Sequence, residues 1–97
     1  MKNYGFLVTV KAKSGKEKDV EAFLRSAVEL AEKEEKTITW YSFRIDQNTF
    51  GVFDTFEDEE GRSEHLNGEI AKQLMENASK LLSEDPKIRK IDILESK

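Results

Sequence analysis

"TITWYSFRIDQNTFGVFDTF" (residues 37–56) consists of two runs rich in β-branched and aromatic residues, joined by the turn-like sequence DQN. β-Branched and aromatic residues favour strands, whereas aspartate and asparagine favour turns. The stretch therefore predicts a β-hairpin with strands at 37–45 and 49–56.

Upstream of the hairpin, the sequence predicts one strand and one helix. Apolar residues alternate with polar ones over 5–12, which is typical of a strand. Ser14 and Glu17 have the spacing of a capping box, so a helix is predicted to start there. Apolar residues then recur at i, i+3, i+4 and i+7, which predicts an amphipathic helix to about residue 35 with one buried face. The charged runs 16–21 and 32–36 are expected to be solvated faces of this helix.

Downstream of the hairpin, the sequence predicts two short helices and a last strand. Asp58 is expected to cap a helix that ends near the helix-stop pair Asn67-Gly68, and a further helix begins at Glu69. Pro86 ends that helix, and 87–95 reads as a strand. The order β-α-β-β-α-β, with the second helix broken in two, predicts a ferredoxin-like α+β fold. In that fold a four-stranded antiparallel sheet carries its helices on one face.

Length and composition limit the class of protein. Ninety-seven residues correspond to a single domain spanning 1–97, and the net charge of −4 argues against a partner that is nucleic acid or anionic membrane. No stretch approaches the roughly 20 apolar residues of a membrane span, and the N-terminus lacks the features of a signal peptide, so we expect a cytoplasmic protein. There is no cysteine and only one histidine, so a zinc site is not expected.

The hairpin also predicts a homodimer. Trp40 and Tyr41 are adjacent in a strand and therefore point to opposite faces of the sheet, of which the helices cover only one. A second copy of the chain is the simplest cover for the other aromatic face. Trp40 and Phe53 are therefore expected to pack in the core or at this interface.

The register of the hairpin decides which aromatic residues share a face, and the sequence leaves it open. A two-residue turn at Gln47-Asn48 would place one set of side chains on a common face: Thr39, Tyr41, Phe43, Ile45, Phe50, Val52, Asp54 and Phe56. A three-residue turn would slip the pairing and mix the two faces.

Two polar residues have both a structural and a functional interpretation. Asp54 lies in an apolar strand, where a carboxylate needs a partner, such as Arg44 or Arg62, unless it faces a pocket. His65 lies near the end of a predicted helix, where it either complements the helix dipole or serves as an acid–base group.

The stretch "TFGVFDTFEDEEGRSEHLNGEIAKQLM" (49–75) resembles the antibiotic biosynthesis monooxygenase family, the dimeric α+β barrels. The shared pattern begins with an aromatic strand that contains an acidic residue and, two positions later, an aromatic residue. An Asp-Glu pair and a histidine-leucine pair follow. Here these positions are Asp54, Phe56, Asp58 and His65-Leu66. RNA-recognition motifs share the element order, but the residues before Phe50 do not match their basic-glycine signature, and the chain is acidic.

The resemblance implies a pocket between sheet and helices that takes a small aromatic or quinol-like molecule. It also implies a cofactor-independent monooxygenase that uses oxygen without metal or flavin. His65 falls on the family's pocket histidine, so we expect neutral His65 to take a substrate proton and Asp54 to orient it. Tyr41, Phe43, Phe56 and Arg62 would bind the substrate. The alternative is a non-catalytic protein that binds or senses a small molecule on the same scaffold.

Overall fold

Four strands and three helices make up the structure, a computed structural model that describes residues 3–97. The elements are β1 (Tyr4–Lys11), α1 (Glu17–Glu32), β2 (Thr37–Arg44), β3 (Thr49–Phe56), α2 (Glu59–Leu66), α3 (Glu69–Leu81) and β4 (Lys87–Asp92). The strands form one antiparallel sheet in the order β2-β3-β1-β4. The predicted ferredoxin-like α+β fold is confirmed, with the second helix interrupted at Asn67 and Gly68.

The hydrophobic core lies between the sheet and the helices. The two central strands, β1 and β3, contribute alternate side chains to it, which follows from the period of two in a strand. Helices α1 and α3 contribute one apolar stripe each, whereas α2 buries Gly61, Arg62 and His65. Buried core residues include Phe6, Val10, Val20, Leu24, Ala27, Ala31, Phe50, Val52, Phe56 and Ile70.

The hairpin has a three-residue connection. Arg44 pairs with Phe50, and the backbone N–H of Ile45 donates to the carbonyl of Thr49 at 2.8 Å, which leaves Asp46–Asn48 as the turn. The face assignment that follows from a two-residue turn is therefore wrong. A slip of one residue moves every side chain of β2 to the other face of the sheet.

With this register, Trp40 lies opposite Asp54 on the helix face, and its ring packs against the core. Tyr41 lies opposite Phe53 on the other face, where the two rings stack at a centroid distance of 6.4 Å. Tyr41 is 59% exposed there. Of the residues described, those on this second face are absent from the hydrophobic core, so it is an uncovered, partly aromatic surface.

The predicted cap of α2 is confirmed. Oδ1 of Asp58 accepts a hydrogen bond from the backbone N–H of Gly61 at 2.8 Å, and Lys36 pairs with the other carboxylate oxygen at 3.4 Å. A side chain that accepts from an exposed N–H of the first helical turn fixes where the helix begins. Asp58 thus connects the start of α2 to Lys36, at the end of the loop between α1 and β2.

Candidate functional site

Asp54 is a carboxylate buried in the core. It lies on β3 between Val52 and Phe56, on the helix face of the sheet, and its relative exposure is 0%. Its Oδ2 lies 3.0 Å from Nε2 of His65, an ion-pair distance, and among residues 3–97 neither carboxylate oxygen accepts a regular hydrogen bond. Burying a carboxylate is costly without a charged or hydrogen-bonding partner, and here His65 is that partner.

Arg44 and Arg62, which the sequence suggested as partners for Asp54, contact other residues. Arg44 forms an ion pair with Glu21 on α1 and lies over the ring of Phe50, 5.0 Å from its centroid. Arg62 donates to the backbone carbonyls of Ile91 and Gly5 and forms an ion pair with Glu59. Neither arginine is therefore the partner of Asp54, and His65 occupies that position instead.

His65 lies between two carboxylates. Its Nδ1 is 2.7 Å from Oε1 of Glu34, and its Nε2 is 3.0 Å from Oδ2 of Asp54. The ring is 8% exposed and packs against the rings of Phe56 and Phe6, at centroid distances of 5.1 and 6.2 Å. Each ring nitrogen therefore faces an acceptor, an arrangement that suits the doubly protonated imidazolium.

The charges around His65 favour that cation. Burial acts to lower the pKa of His65, but the hydrogen bonds and charges of Asp54 and Glu34 outweigh burial and raise its pKa to about 9. Burial also acts to raise the pKa of Glu34, yet the hydrogen bonds from His65 and Thr37 bring it below its ordinary value. At neutral pH the ring is thus charged, which argues against the prediction that neutral His65 takes a substrate proton.

Glu34 is the site residue that the sequence prediction missed. It follows α1, in the charged run that was predicted to be a solvated helix face, and its side chain is only 22% exposed. Its Oε1 accepts from Oγ1 of Thr37 at 2.6 Å as well as from His65. The signal in the sequence was weak, because Glu34 is one of four acidic residues between 29 and 35, and nothing local distinguishes it.

An open cleft of about 530 Å³ borders this group. Glu34, His65 and Gly68 lie in its wall, together with Leu30, Lys33, Glu35, Lys36, Thr37, Gly61, Glu64 and Glu69. The volume falls in the range of about 300–1,000 Å³ that is common for small-molecule sites. By contrast, the apolar space between the sheet and the helices, next to Val10 and Leu24, has a volume of about 10 Å³ and is essentially filled.

The structure separates the aromatic residues that were expected to bind substrate beside His65. Phe56 contacts His65 but is fully buried, and its ring meets that of Phe6 edge to face. Tyr41 and Phe43 lie on the opposite face of the sheet. Phe43 covers Gly51 so closely that a Cβ there would lie 2.5 Å from its ring. These three side chains therefore do not form one aromatic clamp within the chain.

Arg62 holds α2 on the sheet. Its Nη1 donates to the carbonyl of Ile91 at 3.2 Å and, more weakly, to that of Gly5 at 3.5 Å. Its other side forms an ion pair with Glu59, and its guanidinium lies over the ring of Tyr4. With all of these donors engaged and the side chain buried, Arg62 positions the helix that carries His65 and does not line the cleft.

The described residues offer little for a metal ion. Within residues 3–97, no group of three or more histidine, aspartate or glutamate side chains is arranged to hold one. Both nitrogens of His65 face carboxylates, so neither offers a free lone pair. Among the same residues, none of the helices has the length and apolar character needed to cross a bilayer.

Comparison with crystal structures relates the chain to other proteins. A Nitrosomonas europaea protein of unknown function is 45% identical to it, with a TM-score of 0.97 over 100% of this chain and 94% of the other. The chain belongs to the same family as this protein. No protein-family model and no curated protein sequence matches it.

More distant structures share the fold. A Nitrosomonas europaea protein described as a putative antibiotic biosynthesis monooxygenase is 13% identical, with a TM-score of 0.84 over 97% of this chain and 93% of the other. A second protein described as an antibiotic biosynthesis monooxygenase is 16% identical, with a TM-score of 0.80 over 95% and 99% of the two chains. The resemblance predicted from the sequence is thus confirmed at the level of the fold.

Proposed function

We propose that the chain is a cofactor-independent monooxygenase that acts on a small aromatic or quinol-like compound. The observation that carries this proposal is the Asp54–His65–Glu34 group at the wall of an open cleft. A fully buried carboxylate and a half-buried one around one buried histidine are costly to assemble, and such perturbed groups are concentrated at functional sites. The fold shared with proteins described as monooxygenases supports the choice of reaction.

The reaction needs an acid–base group and oxygen. A compound with an acidic methylene gives up a proton, and the resulting anion transfers one electron to O₂. Recombination of the radical pair gives a hydroperoxide, which loses water to leave a carbonyl, so the sum is R₂CH₂ + O₂ → R₂CO + H₂O. The chain has to supply only the proton transfers and a bound geometry, each within the ordinary reach of side-chain catalysis.

Oxygen uptake tests this proposal. A panel of quinols and anthrones is incubated with the wild type, with His65→Gln, and with Ser63→Ala as a control on an exposed position of the same helix. We expect uptake with at least one compound, a loss of about 100-fold in His65→Gln, and no more than about a twofold change in Ser63→Ala. The proposal fails if no compound supports uptake, or if folded His65→Gln keeps full turnover.

One observation favours a second function, a non-catalytic protein that binds or senses a small molecule. The apolar interior is filled, with a volume of about 10 Å³ near α1 and α3 and with Phe56 fully buried. A flat ring therefore does not fit into the apolar space beside Val10 and Leu24. Calorimetric binding of a panel compound that mass spectrometry then recovers unchanged would favour this alternative.

We further propose that two chains form a dimer through the uncovered sheet face. Tyr41, Phe43 and Phe53 present aromatic surface there, and an exposed aromatic patch is typical of an interface. The same face of each copy would meet the other, as expected for a twofold symmetric pair.

A further inference from the structure

We propose that Glu34, through its free oxygen Oε2, is the group that accepts the substrate proton, and that His65 is a fixed cation that positions it. The inference rests on the proposed function, because it uses the same site. It assigns the proton transfer to Glu34, whereas the sequence predicted His65 for this role. Although burial acts to raise the pKa of Glu34, the hydrogen bonds that lower this pKa keep the carboxylate ionised at neutral pH, and the substrate class is a carbon or oxygen acid bound in the cleft.

Hydrogen bonding leaves Glu34 as the accessible member of the group. Asp54 is fully buried, and both nitrogens of His65 face carboxylates, so neither can reach a molecule in the cleft. Glu34 uses Oε1 for both His65 and Thr37. Of the two carboxylates only that of Glu34 borders the cleft, and within residues 3–97 its Oε2 has no hydrogen bond and so has capacity for a new proton.

Gly68 keeps Oε2 accessible. A Cβ at this position would lie 3.2 Å from Oε2 of Glu34 and 3.3 Å from the carbonyl of His65, closer than ordinary contact. Gly68 has a φ of −86°, which other residues adopt without strain, so space rather than backbone conformation is what a side chain here would change. Both Gly68 and Glu34 lie in the wall of the cleft.

The proton transfer balances without a cofactor. The C–H or O–H bond of the substrate breaks, its electron pair stays on the substrate, and a new O–H bond forms at Oε2. Negative charge thus moves from the carboxylate to the substrate, while Nδ1 of His65 lies 2.7 Å from Oε1 of Glu34. Because the hydrogen bond from Nδ1 orients the carboxylate beforehand, the reaction does not have to reorganise it.

Hydrogen exchange tests this role apart from oxygenation. Anthrone, a weak carbon acid, is incubated without oxygen in D₂O, and the loss of its methylene proton signal is followed by NMR. We expect the wild type to accelerate exchange over buffer and Glu34→Gln to lose about 100-fold of that acceleration. Glu32→Gln, an exposed glutamate at the end of α1, is the matched control and is expected to stay within about twofold.

Chemical rescue distinguishes catalysis from a structural role. Formate or acetate should restore exchange in Glu34→Ala by about 10-fold or more, whereas chloride at the same ionic strength should not. If Glu34→Gln does not fold, Glu34→Asp replaces it, since its carboxylate is withdrawn by one methylene. We expect about a 10-fold loss in that variant.

The outcomes separate the two proposals. Exchange that depends on Glu34 without oxygen uptake supports the role of Glu34 and refutes the monooxygenase. Oxygen uptake that is unchanged in Glu34→Gln supports the monooxygenase and overturns the role of Glu34. The role of Glu34 is also overturned if the wild type does not accelerate exchange over buffer, or if folded Glu34→Gln exchanges within about threefold of the wild type.

Discussion

At the scale of single residues, the site depends on one buried carboxylate and one histidine that compensate each other. Asp54 alone would be an uncompensated charge in the core, and His65 alone would lose its cationic form on burial. Glu34 adds the second carboxylate, so the three side chains share one positive and two negative charges. The group is therefore a unit, and removal of one member changes the others.

This coupling predicts a pH-dependent stability. The pKa of His65 is raised from 6.5 to about 9 in the folded chain, so the proton is held more tightly in the folded than in the unfolded state. The stabilisation, up to about 3 kcal/mol, should be fully present below about pH 6.5 and lost as the pH rises to about 9. Urea unfolding measured from pH 6 to 10 checks this.

His65→Gln is the control for that measurement, because glutamine does not titrate. Its free energy of unfolding should change much less than that of the wild type between pH 6.5 and 9. A wild-type curve that is equally flat over this window would contradict the assignment of an imidazolium between Asp54 and Glu34.

At the scale of elements, α2 is the part of the fold that assembles the site. The helix is short, its cap at Asp58 fixes its start, and Arg62 ties its middle to the carbonyls of β1 and β4. It carries few apolar side chains into the core, so these polar contacts replace apolar packing. The orientation of His65 relative to β3 follows from them.

Arg62→Met should therefore loosen α2. The carbonyl of Ile91 loses a charged donor, and the expected cost is about 2–3 kcal/mol in the free energy of unfolding. Arg25→Met is the matched control, since Arg25 is exposed and its ion pair with Glu21 is worth less than about 1 kcal/mol. Chemical denaturation measures both. Equal effects of the two substitutions would show that Arg62 does not hold the helix.

At the scale of the whole molecule, the sheet has one face in the core and one face uncovered. Stacked Tyr41 and Phe53 lie on the uncovered face. Sedimentation of the wild type should give twice the mass of one chain, and Phe53→Lys should give one chain, because a dimer would bury that charge. Lys72→Ala, on α3 away from this face, should leave the mass unchanged. A monomeric wild type would refute the dimer.

The sequence by itself determined the elements and their order. Local signals specify each of these elements: alternation over β1, β-branched and aromatic residues over β2 and β3, helical spacing over α1, and the cap and stop residues at Asp58 and Gly68. Asp54 and His65, which the structure places 3.0 Å apart, were predicted as candidates from sequence, because a carboxylate in an apolar strand and a lone histidine both stand out from their neighbours.

Only the tertiary structure decided the register of the hairpin and the third member of the site. One additional residue in the turn moves Tyr41 and Phe43 to the face away from His65, and residue propensities hardly distinguish a two-residue from a three-residue connection. Glu34 and His65 meet although 31 positions separate them. Such a contact depends on how α1, α2 and β3 pack together, which no local pattern in a charged run encodes.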